Sequence, residues 1–210
     1  MKKTADTAAH TTDPQTAVKI PADSHTADRK GQDLIYELLD WLKYILIAVL
    51  IGLFMVVFVA QRNAVVGQSM LPALHHNDQL LVEKVSRWFD GIDYGDIVTI
   101  KTVNLENHDG TANIIKRVIA MPGDTVEITD DGVLVNDKLI EEHYLAEDTE
   151  TRVRQQRYAK LVLDDDEYYL LGDNRDISLD SRTFGPVHKR DIIGKVLIRF
   201  YPFDQFGQPE

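Results

Sequence analysis

The hydrophobic rhythm of the chain changes twice. Residues 1–30 are rich in Thr, Ala and Asp and show little apolar periodicity, a composition that cannot bury enough surface to offset ordering the chain. From Tyr44 to Ala60 there are 17 residues without a charge. Counted from Trp41 the stretch is 20 residues long, about 30 Å of helix at about 1.5 Å per residue, which matches the apolar thickness of a bilayer. It is apolar on every face, unlike a helix that covers a core with one stripe. Lys43 lies near its end, where a long stem can carry the charge to the headgroups, and Trp41 and Tyr44 suit an interface. Beyond it the pattern becomes a series of short β-branched runs: QLLVEKV at 79–85, DIVTIKT at 96–102, NIIKRVI at 113–119, TVEI at 125–128, GVLVNDKLI at 132–140, YYLLG at 168–172 and IIGKVLIRF at 192–200. These predict a mainly β domain. Asn136-Asp137 between two apolar runs predicts a tight hairpin, and the polar stretch from Glu141 to Gln156 a longer excursion. The expected organisation is a disordered tail over 1–40, a transmembrane anchor over 41–60 and one folded domain over 61–210, with no internal repeat.

Charge sets the direction of that anchor. Within about 15 positions of its ends, Arg29, Lys30 and Lys43 precede it and only Arg62 follows, so the excess of basic residues places the N-terminus in the cytoplasm and the folded domain outside. No small-x-small cleavage pattern follows Ala60 in VAQRNAVV, and a polar tail precedes the run, so a retained anchor is expected rather than a removed leader. The formal charge is −11, of which residues 61–210 carry −10. An acidic domain does not grip nucleic acid through phosphate neutralisation. The absence of cysteine excludes disulfides, thiolate metal sites and a cysteine nucleophile. The seven histidines show no metal-ligand spacing, and neither a metal nor another cofactor is expected.

Three stretches carry candidate chemistry: SMLPAL at 69–74, KRVIAMPGD at 116–124 and GDNRDISLDSR at 172–182. Taken singly they are dull: Ser69 reads as a turn residue, Lys116 as a strand lysine, Asp180 with Arg182 as a solvated pair. Together they offer a serine, a lysine and a polar support. A serine hydroxyl attacks only when a base takes its proton, and a lysine amine is such a base if its surroundings suppress the ammonium form. Desolvation does this. Strand alternation puts Ile114 and Val118 on the face of Lys116, but Ile115 and Ile119 beside Arg117, so periodicity leaves open which cation is buried; chemistry prefers the lysine, because arginine does not readily deprotonate. His75 and His76, next to the serine turn, read as solvated surface groups.

With GDIV at 95–98 and the FGPV and GKVLIRFYP segments, these stretches resemble the sequence boxes of bacterial type I signal peptidases, in the single-anchor Gram-positive form, over nearly all of Trp41 to Phe206. The resemblance implies an antiparallel β-barrel-like catalytic domain behind one transmembrane helix. It implies a Ser-Lys dyad with Ser69 as nucleophile and Lys116 as general base. Ser178 matches the serine whose hydroxyl orients the lysine amine, and Asp180, Arg182, Asp173 and Arg117 match polar supports. The Ser69 N–H matches an oxyanion donor. Where some members place a second, hydroxyl-bearing donor this chain has Gly67, leaving a backbone amide or water for that role. Val65, Met70, Leu74, Ile114 and Ile115 match positions that line pockets for small side chains. Ala73 stands where threonine is usual, and Asn77 where glycine is common before Asp78; asparagine tolerates the left-handed turn.

The implied substrate is an exported preprotein cut after a small-x-small sequence such as Ala-x-Ala, at the outer face of the plasma membrane, with the bilayer as partner and the export machinery nearby. Two other readings stand beside it: a Ser-Lys protease that processes itself, and a catalytically silent anchored domain that binds export partners. Trp88 and Phe89 are expected either to dip into the membrane interface or to sit in the core.

Overall fold

The computed structural model describes residues 25–103, 105 and 113–209, with the backbone alone for 25–34 and for 56 and 57. The expected tail is therefore described only from residue 25, and 1–24 lie outside the described residues. The chain divides into two units, Met1–Val49 and Leu50–Glu210. The first ends within α1, His25–Phe54. Residues 25–40, expected to be disordered, are thus helical: Ala, Leu, Arg, Lys, Gln and Glu are good helix formers, and Lys43 Nζ donates to Asp40 Oδ1 at 2.9 Å one turn earlier. The uncharged run is divided. Its first part closes α1, Met55–Val59 form a π-helical turn, and Ala60 already belongs to a strand. Among the described residues no helix is long and apolar enough to cross a membrane, and residues 41–60 are shared among α1, the π-helical turn and the first residue of a strand. Every residue from Ile35 to Met55 is exposed.

Among the described residues eleven strands follow in chain order: β1 Ala60–Ala64, β2 Gln79–Glu83, β3 Ile97–Ile100, β4 Ile114–Ala120, β5 Thr125–Thr129, β6 Gly132–Val135, β7 Lys138–Leu139, β8 Lys160–Val162, β9 Glu167–Leu171, β10 Val187–His188 and β11 Ile192–Tyr201. All seven expected runs contain strands. The short β1, β8 and β10 were not foreseen; AQRNA, KLV and VH carry too little alternation to stand out. The Asn136-Asp137 hairpin joins β6 to β7, with φ of 52° and 62° at its two central residues, the left-handed pair that a two-residue turn between twisted strands needs.

The strands form two antiparallel sheets. One has the order β1-β2-β11-β3-β4-β9-β10, the other β7-β6-β5-β8, and the second is inserted between β4 and β9. Each sheet has free edges, so among the described residues strand pairing does not close the expected barrel. Ile119, Tyr169 and Leu171 of the larger sheet share a core with Val126, Ile128 and Val133 of the smaller. A second core holds Val98, Ile100, Val118, Leu170 and Ile192, and a third packs Val65, Met70 and Leu74 onto Leu80, Val82 and Val196. This third core anchors the turn that carries Ser69. In β11 the sheet is irregular around Gly194, where a Cβ would stand 1.9 Å from the Glu83 carbonyl oxygen; only glycine lets β11 and β2 approach so closely.

Candidate active site

Ser69 lies on the turn between β1 and β2, Lys116 is the third residue of β4, and residues 172–182 leave β9 and end in α2, Ser181–Phe184. Lys116 is 2% exposed. Its Nζ donates to Ser69 Oγ at 2.9 Å and to the Ile115 carbonyl at 2.9 Å. Burial holds its pKa well below the usual lysine range, at about 8; the charges of Asp180 and Asp173 pull it back up and Arg182 pushes it down. A buried amine hydrogen-bonded to a half-buried serine hydroxyl is the arrangement a serine needs when no histidine serves it.

Neighbouring Arg117 is buried as well, at 4% exposure, so alternation did not separate a buried cation from a solvated one. What separates them is pairing. Arg117 grips Asp173 through Nε at 2.9 Å and Nη2 at 2.8 Å, donates to the Gly95 carbonyl at 2.9 Å and stacks over the Tyr144 ring at 4.0 Å. Burial pushes the Asp173 carboxyl up, and the Arg117 guanidinium opposes that rise. The fork has the geometry of an ion pair, and its permanent cation is satisfied where Lys116 is not.

The stretch after β9 holds itself in shape. Asp180 accepts from Arg182 Nε at 2.9 Å and Nη2 at 2.8 Å, and from the backbone N–H groups of Arg182 and Gly172 at 3.2 Å each, so it caps α2 and ties the two ends of the loop together. Neither Asp180 nor Arg182 is solvated. Asn174 N–H donates to the Ser69 carbonyl at 3.0 Å, which fixes the backbone of the serine turn. Gly172 sits where nothing larger fits: a Cβ there would lie 2.2 Å from Ser178 Oγ and 2.5 Å from the Ser69 oxygen.

Two expectations fare differently. Ser178 is buried beside this contact, but its hydroxyl has no hydrogen-bond partner among the described residues; its bond to the lysine amine is not formed. The Gly67 N–H donates to His76 Nδ1 at 3.2 Å and so is engaged rather than offered to an oxyanion. Gly67 has φ of 99°, a left-handed conformation that accounts for glycine where a hydroxyl-bearing residue would be strained. His75 and His76 are exposed, and Asn77, at φ 73°, takes the left-handed turn expected of it. Beside the serine, Val65, Val66, Gly67, Met70, Ile114 and Ile115 line a groove of about 160 Å³. Leu74 is fully buried and supports this wall from behind instead of lining it.

Arg175 escaped the sequence reading. It is 1% exposed, donates through Nε to the Gly172 carbonyl at 3.0 Å, and pairs with Glu142 and Thr151. It thereby ties the excursion from Glu141 to Gln156 to the loop that holds the Ser69 backbone. Its only signal was a basic residue inside GDNRDISLDSR; a partner 33 positions away leaves no local pattern. Tyr144, whose phenol burial pushes up, was missed for the same reason.

The family described as signal peptidase, peptidase S26, matches residues 38–201. The chain is 35% identical over 174 residues to a signal peptidase I of Leptolyngbya laminosa, covering 81% of this chain and 83% of that protein. It is 35% identical over 176 residues to signal peptidase I S of Bacillus subtilis (strain 168), covering 80% and 91%, and 32% identical over 189 residues to a signal peptidase I of Bacillus licheniformis, covering 87% and 99%. With a serine and a buried lysine in contact inside the matched region, the chain belongs to the signal peptidase, peptidase S26, family of serine endopeptidases.

Proposed function

We propose that this protein is a membrane-anchored signal peptidase I that cuts exported preproteins after a small-x-small sequence, with Ser69 as nucleophile and Lys116 as general base. The contact of the dry Lys116 amine with Ser69 Oγ at 2.9 Å carries the reading. In its neutral form the amine takes the Ser69 proton as Oγ attacks the scissile carbonyl. The resulting ammonium returns that proton to the leaving amine, and a water activated by the same amine resolves the acyl-enzyme. The Ser69 N–H, which no described group accepts from, is a donor for the oxyanion. The narrow apolar groove favours alanine-sized side chains and excludes water from Lys116.

The anchor is assigned to residues 41–60 and the catalytic domain to 61–210, with 1–40 on the cytoplasmic side of the plasma membrane. Support comes from the exposure of the apolar side chains between Trp41 and Met55, which find no core to enter, and from the basic residues that precede the run. Anchoring would hold the export machinery's product and the dyad at matched depth, and so shorten the search that precedes attack.

Incubating the detergent-solubilised chain with a preprotein whose leader ends in Ala-x-Ala should give one new N-terminus directly after the second alanine. Ser69→Ala and Lys116→Ala, both folded, should give none. A product formed only from the enzyme's own chain would favour self-processing, and no product from the folded wild type would favour a binding role. Because neutral amine is the active form, kcat/KM should climb about ten-fold per pH unit below the Lys116 pKa of about 8 and level off above it. A flat profile from pH ~6 to ~9 with chemistry rate-limiting would rule the lysine out as base.

A further inference from the structure

The register of the larger sheet gathers several turns at one end. Ala60, the first residue of β1, faces Glu83 at the end of β2, and Lys84 N–H donates to the Val59 carbonyl at 2.8 Å. Glu83 in turn lies beside Lys195 of β11, Ile192 beside Ile100 of β3, and Lys101 N–H donates to the Asp191 carbonyl at 2.8 Å. The 3-10 turn Ser86–Trp88, the end of β3 and the 3-10 turn Lys189–Asp191 thus emerge where the chain enters the sheet from the stretch assigned to the membrane.

They enclose a cleft of about 450 Å³ lined by Arg87, Trp88, Lys101, Lys189, Arg190 and Asp166. Four cations meet in a domain of charge −10. Lys189 is paired with Asp90, and Asp166 lies by His188 at 3.2 Å. Arg190 comes only within 3.9 Å of Asp191, and Lys101 is exposed with no ion pair among the described residues. Arg87 donates to the Ile192 carbonyl at 3.1 Å and stacks over Trp88 at 4.8 Å. Trp88 and Phe89 are 68% and 78% exposed, which removes the expectation that they are core.

We propose that this cleft binds the phosphodiester headgroup of an anionic phospholipid of the outer leaflet, with Trp88 and Phe89 seated in the interface beside it. The assignment rests on the membrane reading above. A free phosphate shares the headgroup's chemistry but would leave two adjacent aromatic rings uncovered, whereas a lipid covers both parts of the surface.

The test uses the full chain with Trp41→Phe, which leaves Trp88 as the only tryptophan of the two. It is reconstituted in mixed phosphatidylcholine and phosphatidylglycerol vesicles, with brominated chains on one lipid or on the other. Trp88 fluorescence should be quenched more by brominated phosphatidylglycerol. That preference should fall about five-fold for each of Lys101→Gln and Arg190→Gln and should shrink with added salt. Both variants should still cut a short Ala-x-Ala peptide in detergent, which shows that they are folded. Equal quenching by the two lipids, or a preference that survives in the double variant, would overturn the proposal. So would its erasure by inorganic phosphate but not by chloride at equal ionic strength, the mark of a soluble-phosphate site. A chain that failed to float with the vesicles would instead sink the anchor, and this assignment with it.

Discussion

Lys116→Met should abolish cleavage and make the folded domain more stable at neutral pH. Unfolded, the lysine has its usual pKa of 10.5, and folded it has one of about 8. At pH 7 both states are protonated, and the folded one holds a desolvated ammonium at a cost of about 3 kcal/mol, since each unit of pKa is worth about 1.4 kcal/mol. Between pH 8 and 10.5 the folded enzyme sheds the proton while the unfolded chain keeps it, so wild-type stability rises with pH across that window. Methionine has similar length and no charge. Its advantage should therefore be greatest below pH 8 and fade toward pH 10.5. The two lost hydrogen bonds, to Ser69 and Ile115, reduce the gain by about 1 kcal/mol each. Denaturant titrations of both proteins at neutral and at alkaline pH would read this directly, and equal stability at pH 7 would mean that the lysine is not desolvated.

Gly172→Ala should leave a chain that folds poorly and cuts slower by about 100-fold or more, the scale set by a reacting group displaced by about 1 Å. The added methyl would stand 2.2 Å from Ser178 Oγ, 2.7 Å from Ser178 Cβ and 2.5 Å from the Ser69 carbonyl oxygen. Neither neighbour can retreat cheaply: Ser178 is buried, and the Ser69 carbonyl is held by Asn174 N–H. Overpacking of this kind costs about 1–3 kcal/mol. Adding Ser178→Ala removes the Oγ contact but not those with Ser178 Cβ and the Ser69 carbonyl, so the double variant should regain part of the stability while kcat stays low. Full recovery of kcat would show that the serine turn had not been displaced.

The strands were legible because the β-branched runs are long and bounded by turn residues, as in QLLVEKV and IIGKVLIRF. The pairing of Ser69 with Lys116 was legible only through the conjunction of the boxes; Lys116 and Arg117 have equally apolar surroundings along the chain, and the difference between them is a partner, Asp173, 56 positions away from Arg117. The same blindness hid Arg175, Glu142 and Tyr144, whose roles exist only once the excursion after β7 folds back. Ser178 differs in the opposite sense. Its place in a motif implied a hydrogen bond to the lysine amine, whereas its hydroxyl has no partner among the described residues, and hydroxyl rotors are set by local packing that a motif does not encode.

Two cations side by side on β4 make the contact with Ser69 depend on where the strand stops sliding. A shift by one residue exchanges the faces of a strand and would bring to Ser69 a guanidinium that can never act as a base. The Arg117–Asp173 fork, at 2.8 and 2.9 Å, accepts only one alignment of β4 against the loop that follows β9. Asp173 thus serves as a gauge of alignment: it locks the strand in the single setting in which the titratable cation, and not the permanent one, meets Ser69.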